Sequence, residues 1–104
     1  MNVSVYIDTT SNQKIKVGLI VDEQEYLIDQ ELTRQKAQVV LPLIENLLRE
    51  HELSLGDIKQ ITVNPGPGSF TGVRVGLSVA NTLGFLLKVS VNQQPMGMIL
   101  EPIY

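Results

Sequence analysis

A glycine-rich stretch at residues 64–74 holds the residue types best suited to bind a ligand; it reads Asn-Pro-Gly-Pro-Gly-Ser-Phe-Thr-Gly-Val-Arg. Such a run predicts a turn from a strand into a helix, and the unpaired amides and positive dipole end of a helix N-terminus attract phosphates. The stretch matches neither GxxxxGK[ST] nor GxGxxG, since no lysine follows the glycines. Two interpretations stay open, a structural turn and a nucleotide cradle, and the missing motif elements favour the turn.

The sequence has no residue group typical of a catalytic or metal centre. His51 is the only histidine, and the chain has no cysteine. Because zinc sites normally need three or four protein ligands, we predict no metal site and a solvated or capping role for His51. No nucleophile is recognisably paired with a base. These observations favour a binding protein over an enzyme.

Composition and charge are those of one folded domain that does not bind nucleic acid by itself. Apolar residues make up 43% of the 104 residues and charged residues 18%, which is typical of a globular protein with a single core. The net charge is −3, whereas a surface that attracts phosphate backbones would be basic. We therefore expect no direct, independent contact with nucleic acid.

The sequence also predicts a cytoplasmic protein without a membrane anchor. The absence of cysteine and of a basic leader before the first strand indicates a reducing compartment. The most apolar segment, residues 73–91, is interrupted by Ser78, Asn81, Thr82 and Lys88. A bilayer-spanning helix needs about 20 predominantly apolar residues, so we expect this segment to lie in a soluble core.

The elements that must position the glycine-rich stretch follow from the spacing of apolar residues. Alternation with period two predicts three antiparallel strands, and helical spacing from residue 35 predicts the first helix. Pro42 lies inside that helix, which is either kinked there or begins its regular part there. The predicted elements are strands at 3–8, 15–21 and 26–31, a helix from 35, a central strand at 58–63, a helix at 71–87 capped by Ser69 or Thr71, and a strand at 88–91.

The order of these elements, βββαβαβ, predicts an α/β fold with a mixed five-stranded sheet, because helices between strands make crossover connections. It is the order of the ribonuclease-H-like, actin-like half domain. We assign this domain to residues 1–92. Residues 93–104 form a predicted apolar tail that packs on the domain or on a partner, since so much apolar surface would otherwise meet water. Its large apolar residues include Met96, Met98, Ile99, Leu100 and Ile103.

Small side chains recur every fourth residue along the second helix, at Gly72, Gly76, Ala80 and Gly84. This spacing aligns them into a flat strip, called here the small-residue ridge, which another element can approach closely. Each interior glycine lowers helix propensity by roughly 1 kcal/mol relative to alanine, so a compensating close contact is expected. Two interpretations stay open: the ridge packs on the protein's own sheet or first helix, or it forms a partner interface.

Residues 66–77 carry a specific family resemblance. The run Gly-Pro-Gly-Ser-Phe-Thr-Gly-Val-Arg, followed after one residue by Gly-Leu, resembles the signature of the TsaB (YeaZ) family, a subunit of the bacterial machinery that makes threonylcarbamoyladenosine in tRNA. Residues 7–9 resemble the opening strand of the family and residues 41–44 its first helix, so the resemblance spans residues 3–92.

The chain departs from the family in two respects. Family members carry a second domain of related fold, so the resemblance covers half of the family's architecture. Where many members have a His-Ser pair before the first helix, this chain has Lys36 and Ala37. Any role of that pair is therefore not expected here.

The resemblance implies a set of partners. TsaB pairs with the catalytic paralogue TsaD, which modifies tRNA with the help of the ATPase TsaE, so the implied partners are TsaD-like and TsaE-like, and tRNA is reached only through the complex. The two helices, matching residues 36–51 and 71–87, would contact TsaD, or would pair with a second copy in a homodimer when alone. The implied interface residues are Val40, Leu43, Leu47, Gly72, Val73, Gly76, Leu77, Ala80 and Gly84.

The resemblance also implies an anion site. In related sugar-kinase and actin-like proteins the turn after the first strand contacts phosphate, and Asp8, Thr9 and Thr10 match that turn. The candidate residues for a nucleotide or another anion are Asp8, Thr9, Thr10, Gly66, Gly68, Ser69 and Thr71.

The expected function is a non-catalytic partner or scaffold subunit without a cofactor of its own. The alternative is a nucleotide-binding actin-like ATPase or transferase half domain that works in trans with a second domain, with ATP or ADP at the partner interface. A third class, an inactive glycoprotease-like metal protein, needs more ligands than one histidine supplies.

Overall fold

The computed structural model describes residues 1–31, 36–94 and 101–103. Its elements are β1 (Val3–Asp8), β2 (Lys14–Val21), β3 (Gln24–Glu31), α1 (Lys36–Glu50), a 3-10 turn (Leu55–Asp57), β4 (Gln60–Val63), α2 (Phe70–Leu87) and β5 (Ser90–Val91). The strands form one mixed sheet in the order β3-β2-β1-β4-β5. The predicted α/β fold and the βββαβαβ order are confirmed.

The first three strands form an antiparallel meander, as their alternating pattern predicts. In β1, Val3, Val5 and Ile7 are buried and alternate with half-buried polar residues. β1 pairs with β2 along its full length, and this register places Asp8 opposite Lys16. β3 pairs with β2, forms one edge of the sheet and is exposed over most of its length.

The last two strands are parallel to β1 because each follows a helical crossover. Ile7 of β1 lies beside Val63 of β4, and Ile61 of β4 lies beside Val91 of β5. The helices contact each other, α1 packs on β2, and α2 packs on β1, β4 and β5. Their apolar stripes and the inward side chains of the strands form one core, to which α1 contributes Val40, Ile44, Leu47 and Leu48.

Element boundaries differ from the predicted ones in ways that have local causes. α2 begins at Phe70 because Ser69 caps it, its hydroxyl oxygen accepting a hydrogen bond from the Gly72 amide at 3.2 Å. α1 begins at Lys36 and contains Pro42, so Pro42 does not lie in its first turn. β4 is an interior strand, but the central strand of the five is β1.

By length and composition alone, α2 could cross a membrane. Its packing is that of a core helix instead, with one side covered by the sheet and residues from Gly72 to Gly84 buried at helical spacing. The expectation that this segment is no membrane anchor stays a prediction with that packing in its favour.

Candidate functional site

The glycine turn, defined as residues 64–69, connects β4 to α2 and is covered by the chain's own C-terminal segment. Gly66 has φ +110°, a conformation that glycine adopts without strain. A Cβ atom at Gly66 would overlap the carbonyl oxygen of Ile103, whose amide donates a hydrogen bond to the carbonyl of Pro65 at 2.7 Å. Ile103 thus contacts the domain through its backbone, while its side chain is 56% exposed. The tail residues 95–100 lie outside the described residues, so packing of the apolar tail stays a prediction.

The other side of the glycine turn lies against the turn after β1. A Cβ atom at Gly68 would come within 2.6 Å of the Cβ of Thr10, and the Ser69 amide donates to the Thr10 carbonyl at 2.8 Å. The two turns therefore touch through their backbones. Gly68 is needed for close approach between them.

Thr9 connects the same turn to α2. Its side chain is fully buried, and its hydroxyl donates to the carbonyl of Gly72 at 2.5 Å. One turn further along α2, a Cβ atom at Gly76 would overlap the Thr9 hydroxyl. Thr9 therefore occupies the space left by Gly76, which explains why this position of the helix lacks a side chain.

Asp8 ends β1 with a carboxylate that is hydrogen-bonded on both oxygens. Oδ1 accepts from the Thr10 amide at 3.0 Å and from the Thr10 hydroxyl at 2.7 Å, while Oδ2 accepts from the Tyr6 hydroxyl at 3.2 Å and from Asn64 Nδ2 at 3.3 Å. Partial burial alone would raise the pKa of Asp8, but the hydrogen bonds from Thr10, Asn64 and Tyr6 outweigh it and lower that pKa. The pKa of Tyr6 is raised, first by burial and then by the negative charge of Asp8.

Asn64 joins Asp8 to the glycine turn and had no predicted role. Its Nδ2 donates to Asp8, and its Oδ1 accepts from the Gly66 amide at 3.1 Å. The Asn-Pro pair at the start of the turn is the sequence signal that indicates such a contact, because an asparagine side chain often bonds the backbone two residues on. Tyr6 was missed as well, although it lies two residues before Asp8 on the same strand and the alternation of a strand places both side chains on one face.

The structure brings together six of the seven residues predicted for an anion site, and they contact one another. The amides of Thr10, Gly66, Ser69 and Gly72 are all hydrogen-bonded within the chain. Thr71 is exposed and lies on the other side of α2. A small cleft of about 180 Å³ adjoins Asp8 and is lined by Asp8, Thr10, Ser11, Lys14, Lys16 and Asp29. Anion binding stays a prediction, and this cleft offers a place for the anion beside Asp8.

The small-residue ridge faces the sheet of its own domain. Gly72, Gly76, Ala80 and Gly84 are all buried. A Cβ atom at Gly84 would come within 2.7 Å of Val91 Cγ2 on β5. The expectation of a partner surface on the ridge is corrected accordingly, because these positions contact β1 and β5 and offer no open surface.

Most of the other predicted interface residues are buried in the domain as well. Val40, Leu47, Val73 and Leu77 are at most 3% exposed and belong to the core, whereas Leu43 on α1 is half-buried. Apolar spacing identified these residues correctly as a helical stripe. It did not distinguish the stripe that packs inward from one that faces a partner.

The opposite side of α2, called here the outer face, is exposed and has large apolar residues at both ends with polar residues between them. Phe70, Phe85 and Leu86 are 58%, 75% and 67% exposed. A shallow groove of about 380 Å³ runs along this face, and the Arg74 guanidinium lies 5.2 Å from the centre of the Phe70 ring. The groove is lined by Thr71, Arg74, Val75, Ser78 and Val79.

The side chain of His51 contacts the end of α1 and the ring of Tyr26. Its Nδ1 lies 2.9 Å from the Leu47 carbonyl, a hydrogen bond that requires the proton on Nδ1. Its ring contacts the Tyr26 ring at a tilt of 44°, with the centroids 4.0 Å apart. Within residues 1–31, 36–94 and 101–103, no three histidine or carboxylate side chains are placed to hold a metal ion. The predicted capping role at the end of α1 agrees with this geometry.

Comparison with known proteins agrees with the fold and with the family resemblance. The family model described as TsaD, tRNA N6-adenosine threonylcarbamoyltransferase, matches residues 25–93. The tRNA threonylcarbamoyladenosine biosynthesis protein TsaB of Buchnera aphidicola subsp. Baizongia pistaciae is 32% identical over 97 residues, which are 91% of this chain and 44% of that protein. TsaB of Haemophilus influenzae is 32% identical over 84 residues, 81% of this chain and 36% of its own.

A solved structure agrees as well. The structure of YeaZ from Pseudomonas aeruginosa superimposes with a TM-score of 0.81 at 31% identity and covers 88% of this chain and 42% of its own. The chain thus spans less than half the length of these relatives. Since the family model matches more than half of the chain and relatives named TsaB align over most of it, the protein belongs to the TsaB (YeaZ) branch of the tRNA N6-adenosine threonylcarbamoyltransferase family.

Proposed function

We propose that this domain is a binding subunit in tRNA threonylcarbamoyladenosine biosynthesis and that it docks on a TsaD-like catalytic subunit through the outer face of α2. The observation that carries the proposal is the exposure of Phe70, Phe85 and Leu86 on one helix of a small domain. Large apolar side chains grouped on one surface mark interaction sites. The family supplies the identity of the partner, since TsaB-named relatives and a TsaD family model match the same chain.

The outer face has the composition expected of an interface centre. Aromatic side chains and arginine are enriched in such centres, and carboxylates are depleted. α2 contains two phenylalanines and Arg74 but no acidic residue. A partner that covers the groove would meet Arg74 with an acceptor, and one that extends to the end of α2 would also bury Phe85.

The polar cluster at the end of β1 supports a non-catalytic role. The carboxylate of Asp8 already accepts hydrogen bonds on both oxygens. A general base or a phosphate ligand needs a free acceptor or a bound cation, and this carboxylate would have to give up its partners first. The chemistry then belongs to the partner, and the acidic net charge of −3 favours contact with tRNA through the complex.

A nucleotide-binding half domain is the second candidate, and one observation favours it. The cleft beside Asp8 contains Lys14, Lys16 and the hydroxyl groups of Thr10 and Ser11, which are suitable partners for a phosphate. Titration calorimetry of the isolated chain with ADP tests it, and the binding-subunit proposal predicts no saturable heat.

A TsaE-like ATPase and a second copy of the chain are further proposed partners. Both follow from the family and not from a feature specific to them. A homodimer of the isolated chain would use the same outer face, and a TsaD-like subunit would then compete with it.

The decisive experiment measures association with a TsaD-like subunit by sedimentation and calorimetry. Phe85→Ser combined with Leu86→Ser removes the apolar end of the outer face, and we expect the affinity to fall at least about thirtyfold, as for truncation of an interface hot spot. Leu27→Ser is the matched control, since Leu27 is 51% exposed on β3 and lies away from α2.

Wild-type affinity in the Phe85 and Leu86 variant would refute docking through the outer face. An equal loss in the Leu27 variant would show that the effect is not specific to α2. Circular dichroism of both variants should match the wild type, because exposed positions contribute little to stability.

A further inference from the structure

Asp8, Asn64 and Gly66 form a continuous chain of hydrogen bonds across the ends of two parallel strands. Asp8 Oδ2 accepts from Asn64 Nδ2 at 3.3 Å, and Asn64 Oδ1 accepts from the Gly66 amide at 3.1 Å. β1 and β4 are paired up to Ile7 and Val63, so Asp8 and Asn64 follow the last pair directly. The side chain of Asp8 at the end of β1 is thereby linked to the backbone of the glycine turn that follows β4.

The two neighbours of Asn64 determine which way its amide points. The Gly66 amide is a donor and needs an oxygen, and the ionised carboxylate of Asp8 is an acceptor and needs an N–H. Only one orientation of Asn64 satisfies both. Both hydrogen bonds therefore run from donor to acceptor in the direction from Gly66 to Asp8. This pattern changes if an oxygen and a nitrogen are exchanged in either side chain.

We propose that Asp8 and Asn64 form a directional relay that sets the position of the glycine turn and of the first turn of α2, with Asp8 a positioning residue and not a phosphate ligand. Gly66 lies three residues before Ser69, which caps α2, and Phe70 of the outer face follows immediately. The relay itself stands on the geometry of this chain. Only its effect on partner binding rests on the proposed function.

The surroundings of Asp8 agree with a fixed, ionised carboxylate. Tyr6 on β1 donates to it, Lys16 on β2 is its register partner, and Lys14 and Asp29 line the same cleft. The hydrogen bonds outweigh partial burial and lower the pKa of Asp8, so at neutral pH the group only accepts. This ionisation gives the relay its direction.

The test exchanges the two side chains. In Asp8→Asn, the amide and hydroxyl of Thr10 hold the one remaining oxygen, so the new nitrogen faces Asn64 Nδ2. If Asn64 keeps its orientation, two donors face each other. If it turns, its Nδ2 faces the Gly66 amide, which is also a donor. Asn64→Asp places two carboxylates against each other. The double variant Asp8→Asn with Asn64→Asp restores a donor for each acceptor, and a carboxylate oxygen at position 64 then accepts from the Gly66 amide.

Hydrogen exchange of the Gly66 amide, followed by NMR, is the primary measurement. Each single variant should exchange at least about tenfold faster than the wild type, because losing a hydrogen bond to a charged group shifts an opening equilibrium by about an order of magnitude. The double variant should return to within about threefold, as expected when a coupled pair is restored. Asp29→Asn, which removes a carboxylate from the same cleft without touching Asn64, should leave the exchange rate unchanged.

Several results would overturn the relay. These are unchanged exchange in both single variants, no recovery in the double variant, or a double variant that fails to fold. Recovery of folding in the double variant, where a single variant does not fold, supports it. If the wild type bound ADP and the double variant lost that binding while its Gly66 amide stayed protected, Asp8 would be a ligand and the assignment would be wrong.

The same variants separate the relay from the proposed function. A wild-type chain that does not bind a TsaD-like subunit refutes the function, while Gly66 exchange still tests the relay. Where binding is found, affinity should fall in the single variants and recover in the double variant.

Discussion

The two sides of α2 differ in where they place small residues. The inner side, which packs on the sheet, contains the small-residue ridge of Gly72, Gly76, Ala80 and Gly84. The outer face has Phe70, Phe85 and Leu86 with more than half of each side chain in solvent. In an ordinary amphipathic helix the large apolar residues face inward. Here the small residues allow close contact with the sheet beside the buried Val73, Leu77 and Leu83, and further large apolar residues remain on the exposed side.

The difference shows what each side is built to contact. The inner side meets backbone and short side chains, since Gly76 faces Thr9 and Gly84 faces Val91. Close backbone approach offsets the roughly 1 kcal/mol of helix propensity that each glycine forfeits. On the outer face, Phe85 and Leu86 are 75% and 67% exposed.

Gly76→Leu should have the largest effect on stability. Even a Cβ at this position overlaps the Thr9 hydroxyl, so a leucine must push α2 away from β1 and break the bond from Thr9 to Gly72. We expect a loss of about 3 kcal/mol in the free energy of unfolding, toward the upper end for overpacked cores. Urea denaturation measures it.

Ser78→Leu is the matched control, because Ser78 is exposed on the other side of the same helix. It should change the free energy of unfolding by less than about 0.5 kcal/mol. If the two leucine variants had equal stabilities, the assignment of an inner and an outer side would be wrong.

Gly84→Ala should have an intermediate effect. The added methyl group meets Val91 Cγ2 at 2.7 Å and the Val89 carbonyl at 3.1 Å, while alanine favours the helix. We expect a net loss of about 1 kcal/mol, since the two contributions partly cancel. In a Val91→Ala background the same change should cost about 1 kcal/mol less, because the clash is relieved.

A Gly84→Ala variant that was more stable than the wild type in both backgrounds would contradict this expectation. It would mean that α2 can move away from β5 without losing contacts. Thermal unfolding of the four proteins in the cycle decides the matter.

Acid should have the smallest effect on stability. It should act through Asp8 at the end of β1. The folded-state pKa of Asp8 is lowered from its ordinary value of 3.8, so its contribution to stability is complete above that value. The contribution is lost as the pH falls through the lower folded-state pKa. The acid limb of the unfolding curve should therefore be flatter in Asp8→Asn, measured by urea denaturation from pH 6 down to about pH 3.

An acid limb with the same slope in both proteins would mean that Asp8 titrates alike in the folded and unfolded chain.

Much of the fold could be predicted from periodicity. The alternation of Val3, Val5 and Ile7 identified β1, and the apolar spacing from Val40 to Leu48 identified α1. Boundaries moved where a cap or a turn decided them, as at Ser69. The candidate site was predicted less well, because Asp8 and its partner Asn64 are 56 positions apart in the chain.

The sequence left open which surface the small-residue ridge contacts. A repeat of small residues at every fourth position indicates close contact but contains no information on the contacting surface. That surface is made by Thr9, which directly follows the first strand, and by Val91 in the last strand. Only strand order places them on the same side of α2.

The amino-acid sequence by itself determined the element order, the single core and the family, since each depends on local periodicity or on a continuous run such as residues 66–77. The tertiary structure alone decided which side of α2 is buried and where the hydrogen bonds of Asp8 go. The physical reason is that these properties depend on contacts between distant segments, and a local pattern of small or polar residues is compatible with more than one partner until the sheet has been assembled.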